Sequence, residues 1–194
     1  MQHAKAFSWF DDEKIFGFWV YLMTDLVLFA VLFATFIVLR ENSFGGPSAR
    51  ELLELPSALK ETLILLTSSF TCALGTLAVQ REQKKWSIFW FLLTFALGVS
   101  FLSIELSEFS SFVHKGAGWN RSAFLSAFFT LVGTHGFHIS IGLLWMAVVL
   151  FCMGLRPFSI PNTSKIYRMA LFWHFLDVVW IFIFTVVYGM SHIL

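Results

Sequence analysis

Three stretches of this chain carry pairs of ionisable side chains three residues apart inside otherwise apolar runs: Glu105/Glu108, His135/His138 and His174/Asp177. On a helix three residues make about 300° of turn, so both members of each pair share a face. Carboxylates and imidazoles at that spacing on neighbouring helices are the ligands of buried di-iron sites. The same residue types also serve as proton carriers or as hydrogen-bonded packing networks between helices. The most conspicuous stretch, 172–180, reads FWHFLDVVW, and from Ala170 to Leu194 the only Asp, Glu, Lys or Arg is Asp177. Two single carboxylates join the set: Asp25, alone inside the apolar run 15–39, and Glu61, at the mouth of the next run. Each ionisable group in such a run costs a few kcal/mol to place in hydrocarbon, which makes each a functional candidate.

The elements that must position these groups are membrane helices. Of 194 residues, 58% are hydrophobic and 13% charged, against about 25% charged in soluble domains. The reading is an all-α polytopic integral membrane protein with five transmembrane helices, spanning about 15–39, 62–80, 86–108, 122–153 and 169–191. Residues 1–14 form a polar N-terminal segment that lacks the basic start, short apolar core and cleavage site of a signal peptide. The segment 122–155 holds no Asp, Glu, Lys or Arg and exceeds the minimum span, which predicts tilt or a helix that emerges from the bilayer. Eight Lys and Arg fall on the side of the N-terminus and five on the other, so the positive-inside rule places the N-terminus in the cytoplasm and the C-terminus outside, in the periplasm. The net charge of +1 gives no argument for nucleic acid, and Cys72 and Cys152, both in apolar runs, read as packing residues.

Depth separates the pairs. Glu105 falls about 28 Å along the third span, and His174 about 9 Å along the fifth if that helix starts near Arg168. The two pairs then occupy opposite leaflets and cannot ligate one ion, and Asp25, about 15 Å along the first span, lies near mid-depth. The plainer expectations follow. His135 and His138 are core histidines bonded to a neighbouring helix, His174 and Asp177 a hydrogen-bonded pair within their helix, Glu105 and Glu108 acids at the interface satisfied by water, and Glu61 a solvated first-turn acid. Asp25 has no basic neighbour on its own helix and divides between a protonated structural acid and a proton-conducting one. Ala30-x-x-x-Ala34 and Gly136-x-x-x-Ser140 are spacings that let helices approach closely, and Trp9, Trp19, Trp86, Trp90 and Trp119 cluster near span ends as an interfacial belt would.

At these residues the chain resembles subunit III of the haem-copper terminal oxidases. The resemblance is carried by FFTLVGTHGFHISIG at 128–142, FWHFLDVVW at 172–180, the run 14–39 with Asp25, and Glu105-Leu-Ser-Glu108, and it covers nearly everything from Lys14 to Tyr188. The stretches KIFGFWVYL at 14–22 and NRSAFLSAFFTLV at 120–132 are similar to the short, five-helix form found in cytochrome bo-type ubiquinol oxidases. Cytochrome c oxidase versions usually have seven helices, of which this chain matches the last five. The resemblance implies a non-catalytic subunit with no redox centre or metal of its own, packed beside a subunit I that carries haem and copper. It further implies subunits II and IV as partners, bound phospholipid, a bacterial inner membrane, and support of proton uptake and stable turnover. The family's mid-membrane carboxylate falls on Asp25, and Glu105 and Glu108 are the other proton-relay or buried polar candidates. His135, His138, His174, Asp177 and Trp180 match motif positions and read as a helix-packing and subunit-contact network. A cytochrome c or menaquinol donor is the alternative within the family. Outside it stand a self-contained membrane di-iron enzyme, which needs around eight clustered histidines where this chain has six, and a small proton channel.

Overall fold

The structure, a computed structural model, describes residues 12–40, 55–155 and 160–189. His3, Trp9, His192, the Gly45-Gly46-Pro47 turn and the outer end of the last predicted span lie outside the described residues. Five helices make up the described chain: α1 (Asp12–Leu39), α2 (Leu55–Gln80), α3 (Lys84–His114), α4 (Ala123–Leu155) and α5 (Ile160–Ile183), the last continuing as a π-helical segment over Phe184–Gly189. All five are long and apolar enough to cross a membrane. The starts of α2 and α5 differ from those of the apolar runs. Helix α2 starts at Leu55 because Pro56 suits a first turn, and α5 starts at Ile160, ahead of the Arg168 expected from hydropathy.

Turn chemistry sets the helix ends. At the end of α2, Glu82 takes φ 57°, Gln83 N–H donates to Ala78 C=O and Glu82 N–H to Val79 C=O. At the end of α3, Gly116 takes φ 75°, Ala117 N–H donates to Phe112 C=O and Gly116 N–H to Val113 C=O. Both are Schellman motifs, in which a left-handed residue lets the chain satisfy the last helical carbonyls. Helix α4 opens on Ser122, whose Oγ accepts from Leu125 N–H at 3.2 Å.

Helices α2, α3, α4 and α5 close into a ring, each packed on the next and α5 back on α2, while α1 lies outside against α4 and, less, α5. The buried face of α2 is a strict three-four stripe, Ala58, Glu61, Leu65, Ser68, Cys72, Gly75 and Val79. That of α3 is Ser87, Phe91, Thr94, Gly98, Phe101, Glu105 and Phe112. This repeat is the seam of an antiparallel coiled-coil-like pair, and polar rungs cross it: Ser87 Oγ donates to Gly75 C=O at 3.2 Å, and Thr71 and Thr94 share a hydroxyl bond at 2.8 Å.

Trp173 plugs the ring. A Cβ added to Gly98 of α3 would stand 2.7 Å from its Cη2, and one at Gly142 of α4 3.3 Å from its ring, so glycine on two helices makes the room that the indole fills. Its Nε1–H donates to Ser68 Oγ of α2 at 3.0 Å. One residue thereby touches all three other members of the ring. The Ala30-x-x-x-Ala34 pair, in contrast, faces outward from α1 and packs no helix within the described chain.

Candidate functional site

Three buried polar groupings take up the ionisable side chains: Asp25 with His138, Glu61 with Glu105 and Glu108, and His174 with Asp177. In the first, Asp25 of α1 is 8% exposed and faces α4, where His138 Nε2 stands 3.7 Å from its Oδ1. The other ring nitrogen, Nδ1, is 2.7 Å from the Thr134 carbonyl, which can only accept, so Nδ1 carries a hydrogen there. Nε2 is then the nitrogen turned toward the carboxylate of Asp25. The sequence shows that Asp25 lacks a basic neighbour on α1; its partner comes from α4, as a helix periodicity over 22, 25 and 29 facing His138 brings about.

His135, one turn earlier on α4, is fully buried among Phe29, Phe101 and Trp180, its ring centroid 5.3 Å from that of Trp180. Neither of its ring nitrogens has a hydrogen-bond partner among the described residues. The expectation of a histidine bonded to a neighbouring helix is therefore corrected: His138 bonds its own helix and faces Asp25, while His135 packs against rings. Trp180 stacks edge-on to Phe101 at 4.8 Å and its Nε1–H donates to Thr62 Oγ1 at 3.1 Å, tying α5 to α2 and α3.

The second grouping gathers acids. Glu61 is 1% exposed and Glu105 4% exposed, and both occupy core positions of the α2 and α3 stripes. Glu108, half-buried, and Tyr188 of the π segment, buried, lie within electrostatic range of both. The solvated first-turn role expected of Glu61 is overturned by the early start of α2, which sets Glu61 nearly two turns inside the helix. The interfacial position expected of Glu105 is corrected as well, because α3 continues to His114 and Glu105 is buried, 4% exposed. Hydropathy misjudged the burial of Glu61. The signal that finds it is the spacing 58-61-65-68-72, which makes it part of the seam.

His174 and Asp177 do not bond each other. His174 Nδ1 meets Ser69 Oγ of α2 at 2.7 Å, whereas Asp177 Oδ1 has no hydrogen-bond partner among the described residues. With α5 spanning from Thr163, His174 sits about 16 Å inside the membrane segment, deeper than its expected 9 Å. Trp173 lies opposite Gly98, and Glu105 is about 10 Å farther along α3. The expected placement of the two pairs in opposite leaflets is corrected: His174 lies about 9 Å and Asp177 about 5 Å short of the level of Glu105. Among the described residues no three His, Cys, Asp or Glu converge in a way that could hold a metal ion.

These positions agree with what the chain is similar to. The model of the family described as cytochrome c oxidase subunit III matches residues 10–192. The chain belongs to the cytochrome c oxidase subunit III family. Among relatives, cytochrome bo(3) ubiquinol oxidase subunit 3 of Pseudomonas aeruginosa is 51% identical over 179 residues, 92% of this chain and 86% of that one. Cytochrome c oxidase subunit 3 of Bacillus sp. (strain PS3) is 45% identical over the same shares, and quinol oxidase subunit 3 of Bacillus subtilis is 45% identical over 92% of this chain and 87% of its own length. The short form of this family therefore includes a relative named for cytochrome c, so chain length does not sort members by electron donor.

Proposed function

We propose that this chain is the non-catalytic subunit III of a proton-pumping ubiquinol oxidase, in which quinol oxidation is coupled to reduction of oxygen to water by other subunits. The observation that carries the reading is the 51% identity, over 92% of this chain, to a subunit named for a bo(3) ubiquinol oxidase. Haem and copper belong to subunit I, against which this chain packs, with subunits II and IV completing the complex. A bacterial inner membrane is the setting, with the N-terminus cytoplasmic and the C-terminus periplasmic, in keeping with the distribution of Lys and Arg.

Within that complex, Asp25 and His138 support proton uptake, a reading that rests on the buried carboxyl of α1 facing an imidazole of α4 at 3.7 Å. The remaining polar residues, His135, His174, Asp177 and Trp180, hold the bundle in register. A groove of ≈ 470 Å³ between α1 and α5, walled by Trp19, Leu26, Phe33, Phe175 and Phe182 among others, suits the acyl chain of a phospholipid. Relatives named for cytochrome c and for quinol match over the same stretch, which favours a donor site elsewhere in the complex.

Gentle detergent extraction, an optical spectrum and identification of co-purifying chains test the reading. Larger haem-bearing chains that oxidise ubiquinol should accompany this one, and the separated chain should have no haem spectrum. One or two tightly bound irons per separated chain would overturn it in favour of a self-contained di-iron enzyme.

A further inference from the structure

The acids at the far end of the α2–α3 seam are placed where a protein least tolerates unpaired acceptors. Both Glu105 carboxyl oxygens and Glu61 Oε1 lack a hydrogen-bond partner among the described residues, and these two side chains are 96% and 99% buried, being 4% and 1% exposed. A buried acceptor left unpaired costs about 1–3 kcal/mol, and the large majority of buried polar side-chain atoms are bonded to protein or to ordered water. The backbone N–H groups around these acids belong to helices and are spent within them. The donors that remain are hydroxyl groups.

Four oxygen-bearing groups from three helical segments lie within electrostatic range of one another here: Glu61 of α2, Glu105 and Glu108 of α3, and Tyr188 of the π segment. A buried water requires two to four polar partners, and this set supplies them. On the α4 side the wall is bare backbone: a Cβ added to Gly136 would stand 3.9 Å from Glu105 Oε2. A π-helical turn, as at Tyr188, recurs in other proteins at functional positions.

We propose that Glu61, Glu105, Glu108 and Tyr188 frame an internal hydration site, where ordered water donates hydrogen bonds to the Glu105 and Glu61 carboxyl oxygens. Water carries two donors and fits beside glycine, whereas a metal ion would need three ligands converging on one point, which this cluster lacks. The site joins three helices of the ring through a ligand that can exchange with solvent, and it stands apart from the Asp25–His138 pair.

The test is hydroxyl-radical footprinting of the whole oxidase complex in lipid nanodiscs, with radicals generated from water enriched in oxygen-18. Bound water labels the side chains it touches, so Glu61, Glu105 and Tyr188 should take up the heavy oxygen although they are buried. Phe91, fully buried on the same helix under Gly75, is the dry control. Labelling of Tyr188 and Glu105 no greater than that of Phe91 would overturn the proposal. Glu105→Leu should abolish the label on Tyr188, while Glu105→Gln, which keeps an acceptor, should retain it; an unchanged label in Glu105→Leu would also overturn it. If Glu105→Leu fails to assemble, the comparison of the unaltered complex with its Phe91 control still decides.

Discussion

His138 is oriented by its own helix toward another: Nδ1 is held 2.7 Å from the Thr134 carbonyl while Nε2 stands 3.7 Å from Asp25 Oδ1 on α1. The ring cannot turn away from Asp25 without breaking its bond to Thr134. The gap is wider than a hydrogen bond, so a direct bond between the two groups needs a small movement of either side chain.

Replacing Asp25 by Asn keeps the shape and removes the group that can give up the proton. The oxidase carrying Asp25→Asn should assemble normally yet take up protons more slowly or inactivate sooner during sustained turnover. Activity followed over many turnovers in reconstituted vesicles measures this, and an unchanged lifetime with unchanged proton uptake would leave Asp25 a packing residue.

The contact of His174 with Ser69 is one of three polar links between α5 and α2, beside Trp173 with Ser68 and Trp180 with Thr62. His174→Ala and Ser69→Ala should each destabilise the association of helices by about 1 kcal/mol, and the double variant by little more than either alone. Retention of the chain in the complex against increasing detergent reads out the loss. Additive effects would mean that the two side chains act independently.

Trp173 leaves no room at Gly98. Gly98→Ala should cost about 1–3 kcal/mol, because a ring held by Ser68 and wedged at Gly142 cannot retreat. Gly154→Ala, where a Cβ meets nothing within 4 Å, serves as its neutral companion. Thermal inactivation of the two variants side by side distinguishes them, and equal midpoints would contradict the packing described.

The two Schellman turns predict changes of opposite sign. Glu82 adopts a left-handed conformation that costs an L-residue about 1 kcal/mol, so Glu82→Gly should stabilise by about that amount. Gly116→Ala should destabilise by a similar amount although space beside Gly116 is open. Thermal midpoints of the assembled complex check both, and a drop for Glu82→Gly would show that its side chain makes a contact worth more than the strain.

The five spans were legible because hydropathy over some twenty residues reports burial in lipid regardless of what the helices touch. Helix ends were less so. Hydropathy stops at a charge, whereas helices α2, α3 and α5 run past Lys60, Glu105 and Arg168, since their hydrogen bonds do not depend on the side chains being apolar. Glu61 and Glu105 were misplaced for that reason alone, and their three-four spacing with Leu65 and Phe101 held the correction. Which helices meet was beyond the sequence: nothing in 172–180 indicates that His174 prefers Ser69 on α2 to Asp177 on its own helix. The pairing of Asp25 with His138 likewise depends on α1 lying against α4, a tertiary fact.

The turn at Arg81–Gln83 lies about 30 Å from Glu61 along one helix and about 33 Å from Glu105 along the other. The acids meet because they are nearly equidistant from a single tight bend. Helix length alone therefore brings the two carboxyls to one level of the seam, and Gly136 of α4 and Tyr188 of the π segment close the remaining sides. A residue inserted into either arm of this hairpin would shift one acid by about 1.5 Å and turn it about 100° away from the other.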